Sequence, residues 1–242
     1  MKFALITQSA NDGSKLLRGS SLTYHMALAQ YILSDEAYRQ IYHDLHYEDH
    51  FIMLDNGAAE NGHSIGIDNV CEAAEMIGAD EIVMPDVLDE CKATIAATYN
   101  ALAYVPVRRR AVCPQGHSWA EWERCALELV SFGCRTICIA KRYEAFPGGR
   151  VHALKLLMTH NWHKTHDVHL LGCKSRPLFE ISKALKTAPW IRGIDTAAPI
   201  AYAQNNAPIE NPHWYSFRWN EPFQCSVADH NVHAIQEVCR CT

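Results

Sequence analysis

The sequence predicts an α/β protein built as a single (β/α)8 TIM barrel over residues 1–242, and three observations predict it. Short apolar runs alternate eight times with segments of helical spacing. Three of these runs end in an aspartate and then break into small residues: Phe51-Ile52-Met53-Leu54 before Asp55, Ile82-Val83-Met84-Pro85 before Asp86, and Ile191-Arg192-Gly193-Ile194 before Asp195. A buried parallel strand that delivers one acid to the rim of a sheet reads this way. Finally, no Gly-x-Gly-x-x-Gly turn follows the first strand, which disfavours an open doubly wound sheet.

Composition bounds the class. With 242 residues, 48% of them hydrophobic and 20% charged, the chain suits one sizeable core in a soluble globular protein. No stretch has the apolar length of a membrane helix, and residues 1–7 are too short an apolar run for a secretory signal. No export is expected, so the expected location is cytoplasmic. The ten cysteines are scattered through apolar segments, a pattern of reduced, mostly buried thiols. A net charge of -5 argues against non-specific wrapping of nucleic acid and leaves room for a local basic face.

The elements follow in order. Residues 1–7 form the first strand, and the polar stretch 8–21, rich in Ser, Gly and Asn, reads as a long functional loop. Apolar residues recur at helical spacing over 22–33 and 35–45, predicting a helical pair that leads to the second strand at Phe51. Asp68 opens a helix through Met76, which Gly78 ends. The third strand is 81–84, with a helix over 89–104. The fourth is 110–113, after which Ser118 and Glu121 form a capping box opening a helix through Phe132. The fifth is 136–140, followed by a Pro147-Gly148-Gly149 turn and a helix to Thr159. The sixth is 168–172, with Ser175 capping a helix through Leu185. The seventh carries Asp195. Aromatic and polar residues alternate from Trp214 to Trp219 and supply the eighth strand, and a helix over 227–238 closes the fold.

The C-terminal ends of barrel strands, with the loops that follow them, surround the active site. This rule gathers Asp55, Asp86, Gln115 with Gly116, Lys141 with Arg142, Gly172 with Cys173 and Lys174, and Asp195. One aspartate at such a place is equally well explained by helix capping or a turn; three at equivalent positions are not. Arg108-Arg109-Arg110 precedes the fourth strand and reads as surface at the bottom of the barrel. His43, His46 and His50 read as a solvated helix end.

These motifs, in this order, resemble the tRNA-guanine transglycosylases, and most closely their DNA-modifying relatives, the phage guanine transglycosylases of the DpdA type. Leu54-Asp55-Asn56-Gly57-Ala58 is similar to the family's Asp-Ser-Gly-Gly segment, and Val83-Met84-Pro85-Asp86 to the segment whose aspartate reads the guanine edge. Val112-Cys113-Pro114-Gln115-Gly116 is similar to its Val-Gln-Gly, Leu170-Leu171-Gly172-Cys173 to its Leu-Met-Gly-Val, and Gly193-Ile194-Asp195 to its Gly-Ile-Asp. Thr136-Ile137-Cys138-Ile139-Ala140 stands where the family has an Ile-Gly-Gly strand and lacks the paired glycines. In the tRNA enzymes the nucleophile lies three residues beyond the Gly-Ile-Asp aspartate, where this chain has Ala198; the Gly-Ile-Asp-Thr-Ala-Ala-Pro run resembles the DNA-modifying branch and carries that role to Asp195.

The resemblance implies a pentosyltransferase that replaces guanine in DNA with a free 7-deazaguanine base, such as 7-cyano-7-deazaguanine, without a cofactor. It implies Asp195 and Asp55 as catalytic residues, and Asp86, Gln115, Gly116, Asn56, Gly57 and Gly172 as base-binding residues. A carboxylate that holds the sugar as a covalent ester while bases exchange is the two-carboxylate logic of retaining glycosyl transfer. The target base must leave the stack. Lys141, Arg142, Lys174 and Arg176 either bind flanking phosphates or form a solvated rim. The resemblance also implies a phage setting, hence the cytoplasm of an infected cell.

The tRNA enzymes hold a structural zinc with Cys-x-Cys and Cys-x-x-Cys pairs. Here the similar spacing is Cys239-Arg240-Cys241, which Cys225, His230 or His233 would have to complete, so no required metal is expected. That difference and the small size favour DNA over tRNA. The alternatives are a tRNA-type exchanger, a non-catalytic nucleic-acid-binding subunit, and a metal-dependent barrel hydrolase; the last is disfavoured because no His-x-His follows the first strand.

Overall fold

Period-two alternation along short, doubly buried strands sets the architecture. In the computed structural model, which describes residues 1–7, 11–173, 176–219 and 221–240, eight strands lie parallel in one sheet. They are β1 (Lys2–Leu5), β2 (Tyr24–Leu28), β3 (Phe51–Asp55), β4 (Glu81–Val83), β5 (Arg110–Val112), β6 (Thr136–Ala140), β7 (Asp167–Leu171) and β8 (Gly193–Thr196). The hydrogen-bonded order runs β1-β8-β7-β6-β5-β4-β3-β2, and β1 packs beside β2, so the sheet curls into a nearly closed (β/α)8 barrel.

Alternate residues face opposite ways. Ala4, Tyr24, Met26, Met53, Val83, Ala111, Cys113 and Cys138 fill the barrel interior. Their strand neighbours, such as Phe3, Leu5, Ile52, Leu54, Ile137, Ile139 and Ile194, face outward into the larger core beneath the helices. The same parity turns Glu81, Thr136, His169 and Asp195 inward, and all four are buried.

Several local features form as expected. Ser118 accepts from Glu121 N–H at 3.2 Å and caps the helix Trp119–Ser131, while the Glu121 carboxylate takes the His117 N–H at 2.9 Å. Gly78 ends the helix Ile67–Ile77 with φ of 62°. Cys91–Ala101, Arg150–Thr159, Pro177–Thr187 and Cys225–Arg240 form the helices predicted near those positions. Ser175, the predicted cap, lies outside the described residues. No described helix is long and apolar enough to cross a membrane. None of the nine described cysteines is bridged, and seven are buried.

Five expectations are corrected. Residues 24–28, within the predicted helix over 22–33, are β2; all five are buried, and the helix Ala29–Ser34 follows without an intervening turn, so the two patterns merge in sequence. Residues 214–219, the predicted eighth strand, form no strand and lie across the barrel mouth. The predicted loop over 8–21 contains the helix Asn11–Gly19. The Arg108-Arg109-Arg110 cluster is not all surface: Arg110 is buried and donates to the carbonyls of Val105, Leu102 and Phe132 at 2.7, 2.8 and 2.9 Å. Among the predicted surface histidines, half-buried His50 stacks on buried His25, with 2.9 Å between ring nitrogens.

Candidate active site

A cavity of about 490 Å³ opens at the C-terminal ends of the strands, as the barrel rule requires. Asp55, Asn56, Asp86, Gln115, Lys141, Gly172 and Asp195 all line it. Seven of the twelve residues singled out from the sequence therefore meet in one place.

Asp55 ends β3. The Gly57 N–H donates to its Oδ2 at 3.1 Å, which folds the chain back over the acid. Gly57 has φ of 78°, and a Cβ there would lie 2.7 Å from the Gln30 side chain. Gly57 does not line the cavity; its backbone orients the acid that does.

Asp86 follows β4 and is 4% exposed. Asn56 Nδ2 donates to its Oδ1 at 2.8 Å, and Gln115 Nε2 donates to its Oδ2. Asn56 is otherwise spent: Nδ2 also reaches the Met84 carbonyl at 2.7 Å and Oδ1 takes the Ala58 N–H at 2.8 Å. Burial pushes the Asp86 carboxyl up to about 6, and the two amide donors oppose that rise.

Gln115 is completely buried, and its Oε1 accepts from the Tyr143 hydroxyl at 3.1 Å and the Asp89 N–H at 3.4 Å. Its Nε2 also lies 3.5 Å from the weak acceptor Cys113 Sγ. Gly116 stands apart from the cavity lining. Its N–H donates to the Tyr143 hydroxyl at 3.0 Å, and a Cβ there would meet the Trp122 backbone nitrogen at 2.7 Å.

Asp195, on β8, is 3% exposed. Its Oδ1 pairs with His169 Nε2 at 2.8 Å, and the Gly172 N–H reaches both oxygens, at 3.2 and 3.1 Å. Gly172 presents that amide through a backbone turn with φ of 65°, under the Lys141 side chain. Ala198, three residues beyond Asp195, also lines the cavity and offers only a methyl group.

The four basic residues divide. Lys141 lines the cavity, Arg142 is paired with Asp89 away from it, and Arg176 is exposed beside the Phe179 ring. Lys174 lies outside the described residues.

No family model and no curated protein matches this chain. What the arrangement does chemically rests on its own geometry.

Sequence reasoning missed two parts of the site. One is an aromatic rim: Trp214, Phe217 and Trp219 line the cavity, with Trp219 packed on Tyr31 at 4.2 Å between ring centroids. Their alternation was legible and suggested a strand. The other is His169, the buried partner of Asp195, a lone histidine inside an apolar run with nothing local to mark it.

Among the described residues no group of three or more His, Cys, Asp or Glu is placed to hold a metal ion. Cys239 is buried beneath the N-terminus, while His230 and His233 pair with Glu210 and Asp229. Cys241 lies outside the described residues.

Proposed function

We propose that the protein is a transglycosylase that exchanges guanine in DNA for a free 7-deazaguanine base through a covalent aspartyl-glycosyl intermediate. The observation that carries this reading is the convergence of Asp55, Asp86 and Asp195 from three separate strand ends on one cavity. One of these carboxylates, Asp86, is held at each oxygen by a carboxamide. Another, Asp195, lies in the cavity wall beside a buried histidine.

In this reading Asp195 attacks the anomeric carbon. The C1′–N9 electron pair leaves with guanine, which takes a proton from Asp55; the incoming base returns that proton to Asp55 and displaces Asp195. Ionised Asp86 accepts from N1–H and the exocyclic amine of the base. Gln115 gives up the weak contact of its second N–H with Cys113 Sγ for the base carbonyl, a role that Gly116, with its amide on Tyr143, leaves to it. Unpaired, these buried groups penalise adenine and pyrimidines heavily. The aromatic rim at the cavity mouth stacks on a base flanking the extruded one, and Lys141 faces the adjoining phosphate.

The test is incubation with labelled 7-cyano-7-deazaguanine and double-stranded DNA, single-stranded DNA or tRNA, scoring label retained in polymer. Label in DNA alone is the expected result. Label in tRNA alone moves the protein to the tRNA-type activity, and label in neither overturns catalysis by the chain alone in favour of a binding subunit.

A further inference from the structure

Below Asp195 a file of buried polar groups crosses the barrel interior. Asp195 Oδ1 meets His169 Nε2 at 2.8 Å, His169 Nδ1 meets the Tyr24 hydroxyl at 2.8 Å, and Arg192 Nη2 donates to that hydroxyl at 3.2 Å. Arg192 in turn forms a two-pronged pair with Glu81 at 2.8 and 2.7 Å, and Thr136 donates to both Glu81 oxygens at 3.0 Å. The file draws on β2, β4, β6, β7 and β8 and the residue before β8. Its space is made by Gly193, where a Cβ would lie 2.7 Å from the Tyr24 ring.

Arg192 only donates, so the Tyr24 oxygen accepts from it. The Tyr24 O–H has two acceptors in reach, His169 Nδ1 at 2.8 Å and the weaker Met53 Sδ at 3.9 Å, and takes the shorter bond to the stronger acceptor. His169 is therefore the Nε2–H tautomer and donates to Asp195. Burial lowers the His169 pKa and raises that of Tyr24, which keeps both in these neutral forms. The Arg192 charge is answered by Glu81 and, at 3.4 Å, by Asp167.

We propose that His169 is a positioning residue for the nucleophile. Its Nε2–H pins Oδ1 of Asp195, with its tautomer set by Tyr24, and so leaves Oδ2 as the oxygen that faces the anomeric carbon. The inference rests on the assignment of Asp195 as nucleophile. During attack Oδ2 forms the bond to C1′, the C1′–N9 pair departs with guanine, which is protonated by Asp55, and His169 keeps its proton, now donated to the ester carbonyl oxygen. The second donor, the Gly172 N–H, reaches both oxygens and does not distinguish them.

Two experiments test this. Nitrogen-15 NMR of histidine-labelled protein at neutral pH reads the tautomer without any substrate: a protonated Nε2 and bare Nδ1 at His169 is the expected state, and the opposite tautomer overturns the inference. The second scores covalent enzyme–DNA complex on denaturing gels for wild type, His169→Ala, His169→Gln and Tyr24→Phe. His169→Ala is expected to slow complex formation roughly 10- to 100-fold while KM for DNA stays within about twofold, since only the reacting geometry is lost. His169→Gln, which restores an N–H near Nε2, recovers part of the rate, and Tyr24→Phe loses an intermediate amount. If His169→Ala does not fold, the Gln and Phe variants decide. Variants that match wild type overturn the positioning role alone. A folded wild type that transfers bases without any complex dependent on Asp195 overturns the nucleophile assignment instead.

Discussion

Asn56 at the end of β3 donates from Nδ2 to Oδ1 of Asp86 beyond β4, at 2.8 Å. A carboxamide from one strand end thus holds the acid of the next in place, in a site where that acid is 4% exposed. The carboxamide orients the acid and favours its ionised form, while burial makes it reluctant to ionise.

The first prediction concerns pH. Burial raises the Asp86 pKa in the folded protein to about 6, above the ordinary carboxylate value. Between the unfolded and folded values the native state binds more protons than the unfolded chain, so stability falls as pH rises from about 4 to about 6. The full effect of this group is about 3 kcal/mol, absent below the window and fully expressed above it. Urea denaturation at pH 4.5 and 7 measures it, with Asp86→Ala losing this pH dependence. Binding of free guanine should run the other way, strengthening as Asp86 ionises through pH 6; affinity flat across that range would remove Asp86 from the base-reading role.

A second prediction separates the two acids to which the proposed function gives catalysis. Asp195→Ala is expected to abolish the covalent enzyme–DNA complex, because the other acids among the described lining residues, Asp55 and Asp86, are assigned to proton transfer and base reading, and Ala198 carries only a methyl group. Asp55→Ala leaves the nucleophile and blocks turnover by removing the proton donor, a loss of about 100- to 10,000-fold in rate. Gel trapping and steady-state exchange, run side by side, distinguish these outcomes, and base exchange by Asp195→Ala would refute the nucleophile.

Much of this site was legible because barrel strands deliver their last residues to one rim, so an acid after an apolar run is placed by topology alone. Asp55, Asp86 and Asp195 were found that way. The fold was reached with one wrong strand: β2 has no alternation to betray it, since Tyr24 through Leu28 are all buried, and the aromatic alternation at Trp214 to Trp219 filled the vacant eighth place. Alternation there reflects rings turned into the cavity from an irregular segment. His169, Tyr24 and Arg192 were illegible for a different reason. Their roles are contacts between residues up to 168 positions apart, and local pattern carries no trace of them.

Gly116 supplies the third prediction. A methyl group there meets the Trp122 backbone nitrogen and the Glu121 Cβ at 2.7 Å, neither of which is a flexible side-chain tip. Gly116→Ala is expected to cost about 1–3 kcal/mol of stability through overpacking. Because the Gly116 amide is spent on Tyr143, preference for guanine over adenine is expected to survive the change. Denaturation paired with competition between the two bases checks both halves. Lost selectivity at unchanged stability would return the Gly116 amide to the base pocket.

The last prediction concerns the aromatic rim. Trp219 packs on Tyr31 and Phe217, with ring centroids 4.2 and 4.7 Å apart, while Trp214 is 41% exposed at the cavity mouth. The segment is clamped by one side chain: Gln204 donates to the carbonyls of Arg218 and Glu221 at 2.6 and 3.2 Å and accepts from Arg218 N–H at 3.0 Å. An indole left partly in water beside a cavity is a ready stacking surface, and stacking of a nucleobase contributes about 1–3 kcal/mol. Trp214→Ala is therefore expected to weaken single-stranded DNA binding by roughly 5- to 150-fold. The same variant should leave capture of the free base within about twofold, since Asp86 and Gln115 lie deeper in the cavity. Quenching of tryptophan fluorescence by a short guanine-containing oligonucleotide reads the first effect directly. Equal loss toward oligonucleotide and free base would mean that Trp214 shapes the base pocket itself and does not hold the strand.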